Sequence, residues 1–435
     1  MLFYLRAIGT ALALPGILAL FFYFKDTMAV PQLKSVKKIR KADEFNKKYL
    51  IEATVMSFLA LFGLYFTTNI VNVSNSNDFL EQSIMILCYY ASGIIFFLML
   101  YKSKINRYRK WLFILFSIMF PVGFFVDLYQ ARGHIYFFQF EDMVRTHIPF
   151  CHMVIPQTLL PALTEKKVVF PGVATTVPGW DYTISSMVAI WISISFALGR
   201  GWCSWTCFWG GWEELFANLR KKPVIKKIDS RLRWFPYAIV IVSIGMTLLL
   251  VVPFYCAWLC PFKAVSETNE IISFKNVLQT GVFVILFIGL VIVLPLLTKK
   301  RTQCMFLCPF GAFQSLVDKV NVFKIRIDTE KCNNCKTCIR VCPVMSISED
   351  SIKKGSVGFS CIKCNTCIDH CPQNAISHHI KGTPCKGTAG VIFSHIAKYS
   401  FLLIAFILIG TMAIGTIRGG MYLIIKFMVT GVFKS

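Results

Sequence analysis

Two eleven-residue runs, CNNCKTCIRVC at 332–342 and CIKCNTCIDHC at 361–371, each precede a proline and place four cysteines at the spacing C-x2-C-x2-C-x3-C-P. Three thiols that close together can wrap one inorganic core, while the fourth, turned aside by its proline, reaches a second core. Crossing the runs in this way gives the sets Cys332, Cys335, Cys338, Cys371 and Cys361, Cys364, Cys367, Cys342. The matching chemistry is that of [4Fe–4S] clusters, each held by four thiolates. Structural zinc is the alternative for clustered cysteine, but it usually takes two separated pairs of ligands rather than four in a tight run.

The two runs belong to a longer internal repeat, DTEKCNNCKTCIRVCPVMSI being echoed by GFSCIKCNTCIDHCPQNAI. This predicts a pseudo-twofold, α+β bacterial 2[4Fe–4S] ferredoxin-like domain over 326–380, with short helices after the cysteine runs and small strands at its ends. Its task is electron transfer.

Three further pairs are spaced C-x3-C: Cys203 and Cys207, Cys256 and Cys260, Cys304 and Cys308. On a helix, residues i and i+4 share a face, so each pair presents two thiols to one point. Cys203, Cys207, Cys304 and Cys308 follow apolar runs that head toward the cytoplasm. Together they can supply the four thiolates of a third cluster at the membrane edge, with Arg200 and the basic residues 299–301 offsetting part of its charge. Cysteine also serves as a small buried hydrophobe, which is the bland account of a single such pair. Cys256 and Cys260 follow an outward-running span, which puts them on the opposite side of the bilayer. There Cys151, with His152 or His147 as a fourth ligand, can complete an outer cluster, because histidine replaces cysteine at some iron–sulfur centres. A disulfide to Cys151 is the alternative.

The elements that carry these cysteines follow from composition. With 56% hydrophobic residues and a mean hydropathy of +0.61, the chain reads as an integral membrane protein rather than a soluble globule. Apolar stretches near the ~20 residues that span a bilayer fall at Leu2–Phe24, Ile51–Val71, Ser83–Tyr101, Trp111–Tyr129, Ile184–Trp202, Phe235–Tyr255, Val277–Thr298 and Val391–Ile417. That makes an all-α polytopic protein of about eight transmembrane helices, with the ferredoxin-like domain inserted before the last. The first span reads as a retained anchor rather than a cleaved signal. The net charge of +24 gathers in short blocks between spans instead of along one polar face, so it reads as membrane topology rather than nucleic-acid binding. Eight Lys or Arg in 25–50, five in 102–110 and seven in 208–234 contrast with none in 72–82 and four in 130–183. The alternation places the ferredoxin domain in the cytoplasm and 130–183 outside. The organisation expected is N-terminal helices over 1–130, an outer segment over 131–183, a transmembrane electron-transfer core over 184–325, the ferredoxin domain, and a final helix with its tail over 381–435.

Other residues carry less. Cys88 and Cys385 stand alone and read as structural, and His370, His378 and His379 as exposed polar residues. Asp127 could serve proton transfer at a quinone site but is better placed snorkelling at the interface, as is Arg6. Nucleotide-binding glycine fingerprints and a haem attachment motif are absent.

GWCSWTCFWGGW, CAWLCPFKA and CMFLCPFGAFQSL, followed by the double cysteine run, resemble the membrane polyferredoxins of the NapH and NosR type over about residues 184–376. The resemblance implies an electron-transfer or accessory protein of anaerobic respiration linked to quinol. The chain departs from that pattern by having three C-x3-C pairs instead of two and Phe208 where proline would follow Cys207. The expected function is an electron conduit between a cytoplasmic donor or acceptor and quinone or a periplasmic or membrane partner. A ferredoxin:quinone reductase and an accessory protein for maturation or metal reduction of another enzyme are the alternatives.

Overall fold

The computed structural model describes residues 47–71, 78–123, 153, 156–157, 175–177, 180–182, 184–250, 254–266, 274–384 and 387–431. In hydrocarbon a backbone must satisfy its own hydrogen bonds, so long apolar runs become helices. In chain order these are α1 (Lys47–Val71), α2 (Phe79–Tyr101) and α3 (Ile105–Gly123), then a hairpin of β1 (Thr175–Val177) and β2 (Trp180–Tyr182), then α4 (Ile184–Leu198). The short helices α5 (Trp202–Trp205) and α6 (Gly210–Leu219) precede α7 (Phe235–Leu250), α8 (Phe254–Trp258) and α9 (Lys263–Ser266). Next come α10 (Phe274–Thr298), which winds as π-helix over Phe287–Val293, and the short α11 (Thr302–Phe306) and α12 (Pro309–Val317).

The ferredoxin-like lobe holds β3 (Phe323–Ile327), α13 (Thr337–Val341), α14 (Glu349–Lys353), α15 (Thr366–Asp369) and β4 (Ile376–Ile380). Its strands pair antiparallel from Phe323 opposite Ile380 to Ile327 opposite Ile376. The inward residues Ile325, Ile327 and Ile376 pack with Val344, Ile347, Ile352 and Ile362 into a small core. Helix α16 (Gly387–Thr430) closes the chain.

Among the described residues five helices are long and apolar enough to cross a membrane: Leu50–Thr68, Phe79–Tyr101, Arg231–Leu250, Phe274–Thr298 and Gly387–Thr430. They coincide with five of the eight expected spans. Leu2–Phe24 lies outside the described residues. The run expected at Trp111–Tyr129 starts earlier, at Ile105, and its first turns carry Asn106 and Arg109, both buried in polar contacts at the base of the lobe. The helix expected to reach Trp202 stops at Leu198, because Gly199 turns the chain at φ +57°, where a β-carbon would also strike Asp318.

At 44 residues, α16 is roughly 66 Å long, about twice the thickness of the hydrocarbon core. Near its start Phe401 packs on Phe323, His378 and Trp205. Along the same helix, Tyr399 meets Glu52, Thr411 meets Thr67, and Tyr422 meets Asp78, the N-cap of α2. The helix therefore runs parallel to α1 and antiparallel to α2, tying the lobe to the membrane bundle.

Candidate metal centres

The two cysteine runs of the lobe keep their repeat in backbone as well as sequence. Cys332, Cys335, Cys338 and Cys342 each recur 29 residues later, and so do the left-handed residues: Asn334 and Lys363, Lys336 and Asn365, Met345 and Asn374. Left-handed steps cost energy in non-glycine residues, least for asparagine, and here they curl each run so that three thiols turn to one side. The amide of Ser346 donates to Cys342 Sγ at 3.2 Å and that of Ala375 to Cys371 Sγ at 3.3 Å, equivalent bonds in the two halves. Cys342, Cys361, Cys364 and Cys367 line one cavity together with Ile325, Ile347 and Ile362. Cys338 has Cys332, Cys335 and Cys371 as its neighbouring thiols. The structure thus gathers both expected sets, each made of three cysteines from one run and the last of the other. Burial pushes the Cys361 thiol up to about 12, against the opposing pull of the Lys363 amide. Binding a metal there displaces protons.

The second gathering lies where α5 and α11 meet. Cys203, Cys207, Cys304 and Cys308 are all buried. Cys207 neighbours Cys203 and Cys308, Cys304 neighbours Cys207 and Cys308, and Cys308 also neighbours Cys203. The two strings repeat with a period of 101 residues: Arg200 and Arg301, Cys203 and Cys304, Cys207 and Cys308, Gly210 and Gly311. The relation is reciprocal in space. A β-carbon at Gly210 would strike the Arg301 guanidinium, while one at Gly311 would face that of Arg200. Gly311 donates its amide to Cys308 Sγ at 3.3 Å, and the Gly210 amide serves Cys207 in the same way. Arg301 Nη2 donates to Cys304 Sγ at 3.2 Å, and the Arg200 side chain hydrogen-bonds Cys203.

Charge around this site is buried and paired. Arg301 lies 3.9 Å from carboxylates of both Glu213 and Glu214, and Glu214 also takes Arg109 at 3.2 Å. Glu213 accepts the amides of Gln303 at 2.6 Å and Cys304 at 3.3 Å. Arg301 Nε and Nη1 face those carboxylates without a hydrogen bond, and Arg200 Nε is buried with no hydrogen-bond partner. Four buried thiols, two of them taking guanidinium hydrogen bonds, fit an anionic, sulfur-ligated group. Among the described residues no three His, Cys, Asp or Glu side chains close around a single ion, and a cubane needs its four thiolates spread over its corners rather than converging on one point.

This site abuts the lobe. Cys203 packs in the same apolar cluster as Cys342 and Cys364. Ser204 Oγ donates to Ile362 O at 2.5 Å and Trp205 Nε1 to Lys363 O at 3.3 Å. From the other string, Arg301 N donates to Pro343 O at 2.9 Å and Lys300 Nζ to Cys342 O at 2.6 Å. The buried Lys363 ammonium spans Leu198 O, Asp318 and Asn321.

Cys256 and Cys260 are not a bilayer's thickness from this site, as alternating topology suggests. Tyr255, fully buried, accepts from Gln303 Nε2 at its hydroxyl at 2.6 Å, and Gln303 adjoins Cys304. Phe262 stacks on Trp209 with centroids 4.7 Å apart. One layer of side chains separates the third pair from the four cysteines. The reason is local: Phe254 N donates to Thr247 Oγ1, so α8 turns back beside the last turns of α7. Cys256 Sγ accepts from Gln157 Nε2 at 3.5 Å, and Gln157 Oε1 accepts from Tyr255 N at 2.7 Å. Cys151, His147 and His152, the expected partners, lie outside the described residues, as do Cys385, Arg6 and Asp127. Where the other two strings have glycine, this one has Lys263, which is buried.

His378 and His379 are buried, not exposed. His378 bonds Asn365 Oδ1 at 2.6 Å and lies on Phe401, and burial pushes its pKa down to about 3. The sequence reading missed Glu213, Glu214, Arg109 and Gln157. The first two carried a signal: two carboxylates directly after an aromatic cysteine run, on a segment too apolar to face water throughout.

A 4Fe-4S dicluster domain model matches residues 331–376, and a 4Fe-4S binding domain model matches three times, at 180–226, 232–275 and 280–328. Each of the three matches holds one C-x3-C pair. The chain is 26% identical over 164 residues to YccM of Escherichia coli (strain K12), named for a proposed role in electron transport; the match covers 36% of this chain and 45% of YccM. It is 26% identical over 184 residues to the regulatory protein NosR of Pseudomonas aeruginosa, covering 39% of this chain and 23% of NosR. It is 25% identical over 167 residues to the ferredoxin-type protein NapH of Escherichia coli (strain K12), covering 37% and 54%. The chain thus spans about half the length of YccM and NapH and less of NosR. No solved structure matches it. It is a 4Fe-4S ferredoxin-type protein related to NapH, NosR and YccM.

Proposed function

We propose that the chain passes electrons between a soluble carrier in the cytoplasm and an acceptor or donor at the membrane, either quinone or a membrane or periplasmic protein. Three sites would serve: the two crossed sets of the lobe and Cys203, Cys207, Cys304 and Cys308 at the membrane edge. A [4Fe–4S] group held in each supplies one-electron exchange. The chain's own residues hold the thiolates, exclude water and supply the surrounding charge.

The observation that carries this reading is continuity. Cys335 is exposed at the outer end of the lobe, the cavity of Cys342 and Cys364 lies behind it, and Cys203 packs against that cavity from the membrane side. Exposure at one end admits a soluble partner, and burial at the other prevents leakage. The basic segment 220–233 is exposed at the lobe's end of the bundle, where Trp234 touches Phe359, which supports a cytoplasmic lobe. A further site at Cys256 and Cys260, completed by Cys151 and His152 or His147, would bring the total to four.

Anaerobically purified full chain should hold about 16 irons with all four sites filled, about 12 without the third pair and about 8 with the lobe alone. We expect the highest count, and quinone should oxidise the dithionite-reduced protein. A count of 8 with no third electron-paramagnetic signal would refute a membrane-edge site. The name of NosR supports a second reading, an accessory or regulatory role. That reading gains if the protein exchanges no electrons with quinone while its loss impairs another redox enzyme.

A further inference from the structure

The crossed arginines carry an inference about direction, which rests on the membrane-edge site proposed above. Arg200 and Arg301 occupy equivalent places in the two strings, three residues before the first cysteine of each. Each contacts a thiol of its own string and reaches over the glycine of the other. Both are buried, at 4% and 0% exposure, so their charge acts through low-dielectric surroundings. Their guanidinium groups hydrogen-bond two of the four thiols, Cys203 and Cys304, directly.

The lobe differs. Around its exposed set, Lys331 and Lys336 are engaged by Asp328 at 3.2 Å and Glu349 at 2.5 Å, in contact with water. Around its inner set, the buried Lys363 gives its hydrogen bonds to Leu198 O, Asp318 and Asn321, Lys300 reaches the Cys342 carbonyl oxygen, and Arg109 acts on Cys364 through space, so none of the three donates to sulfur. Among the described residues, cationic side chains donate directly to cysteine sulfur at the membrane edge and not in the lobe.

An added electron makes a sulfur-ligated site more negative. Burial alone opposes that, and nearby cations and N–H donors favour it. We propose that Arg200 and Arg301 raise the reduction potential of the membrane-edge site above those of both lobe sites, so that electrons run from the lobe into the membrane. Each step moves one electron: a lobe site is oxidised, the membrane-edge site is reduced, and a low-potential one-electron carrier in the cytoplasm refills the lobe. Glu213 and Glu214 temper the effect of Arg301. Arg109, which Glu214 also pairs, returns part of that charge.

The test is a redox titration of the full chain in detergent, followed by paramagnetic resonance, for wild type and for Arg200→Gln and Arg301→Gln. The wild-type membrane-edge signal should have the highest midpoint of those resolved. Each glutamine variant should lower that midpoint by about 59 mV or more, a tenfold change for a one-electron step, with the lobe signals unmoved. An unmoved midpoint in both variants, with the signal intact, overturns the proposal while leaving the site itself standing. So does a wild-type midpoint at or below that of either lobe signal. If a glutamine variant loses the site, Arg200→Lys and Arg301→Lys decide. They keep the charge and should retain the signal at an intermediate midpoint, whereas loss in both assigns the arginines to folding alone. Absence of the third signal in wild type would count against the site, not against the arginines.

Discussion

The lobe and the membrane edge both collect thiols by repetition, yet they do so by opposite means. In the lobe the repeat is 29 residues and the backbone does the gathering: left-handed residues curl one short run, and amides of Ser346 and Ala375 settle the distant cysteine. At the membrane edge the repeat is 101 residues and side chains do it. Two pairs from separate parts of the chain, each with its second cysteine past the end of its short helix rather than on one helical face, are clasped by buried arginines, glycines and carboxylates. A locally encoded site tolerates changes around it, whereas a site assembled from distant strings depends on whatever clasps them.

The largest effect that can break this comparison is loss of the shared site. Cys203→Ser and Cys308→Ser, one in each string, should each abolish the same paramagnetic signal and remove about four irons, with both lobe signals preserved. Iron analysis and spectra of the two variants decide. If they lose different signals, the strings do not form one site.

A smaller effect sharpens the role of the clasp. Glu213→Ala leaves Arg301 without one of its carboxylates and strips the acceptor from the Gln303 and Cys304 amides. Breaking a buried ion pair costs about 3–5 kcal/mol, and this should appear as reduced unfolding free energy of the detergent-solubilised protein. Glu349→Ala, which breaks the exposed pair with Lys336, should cost far less, because water screens that pair. Equal losses would erase the contrast between the regions.

The smallest effect concerns the seam between them. His378 is held neutral by burial against Phe401, its pKa falling from 6.5 to about 3. The unfolded chain takes up a proton below about pH 6.5 that the folded lobe refuses, so stability is full above that pH and declines as pH falls toward 3. By pH 5 the decline should be about 2 kcal/mol. His378→Gln should flatten the slope between pH 7 and 5 in a denaturant series, and an unchanged slope would remove His378 as its cause.

What could be read from sequence follows the same division. The lobe's cysteine sets are legible because everything that gathers them lies within a few residues. The pairing of Cys203 and Cys207 with Cys304 and Cys308 is suggested only by equal depth. Its clasp of Glu213, Arg301 and Gly210 depends on contacts across about a hundred residues, which no local pattern reveals. Span counting carries the run Phe235–Tyr255 straight across and so separates Cys256 from the other pairs, whereas α7 ends at Leu250 and Phe254 of α8 bonds back to Thr247. Gly199 likewise ended a span early through a backbone angle that hydropathy does not register. The burial of His378 follows from the packing of α16, whose apolar run gives no sign of what it will cover.

The long α16 gives the molecule a mechanical character. Phe401 is wedged among Phe323, His378 and Trp205, and the same rod is fastened at Glu52, Thr67 and Asp78 along the bundle. The lobe is bolted down rather than swung on a tether. The proposed transfer across the seam would therefore cross a gap of fixed width, without a diffusive search, and solvent viscosity should have no hold on its speed.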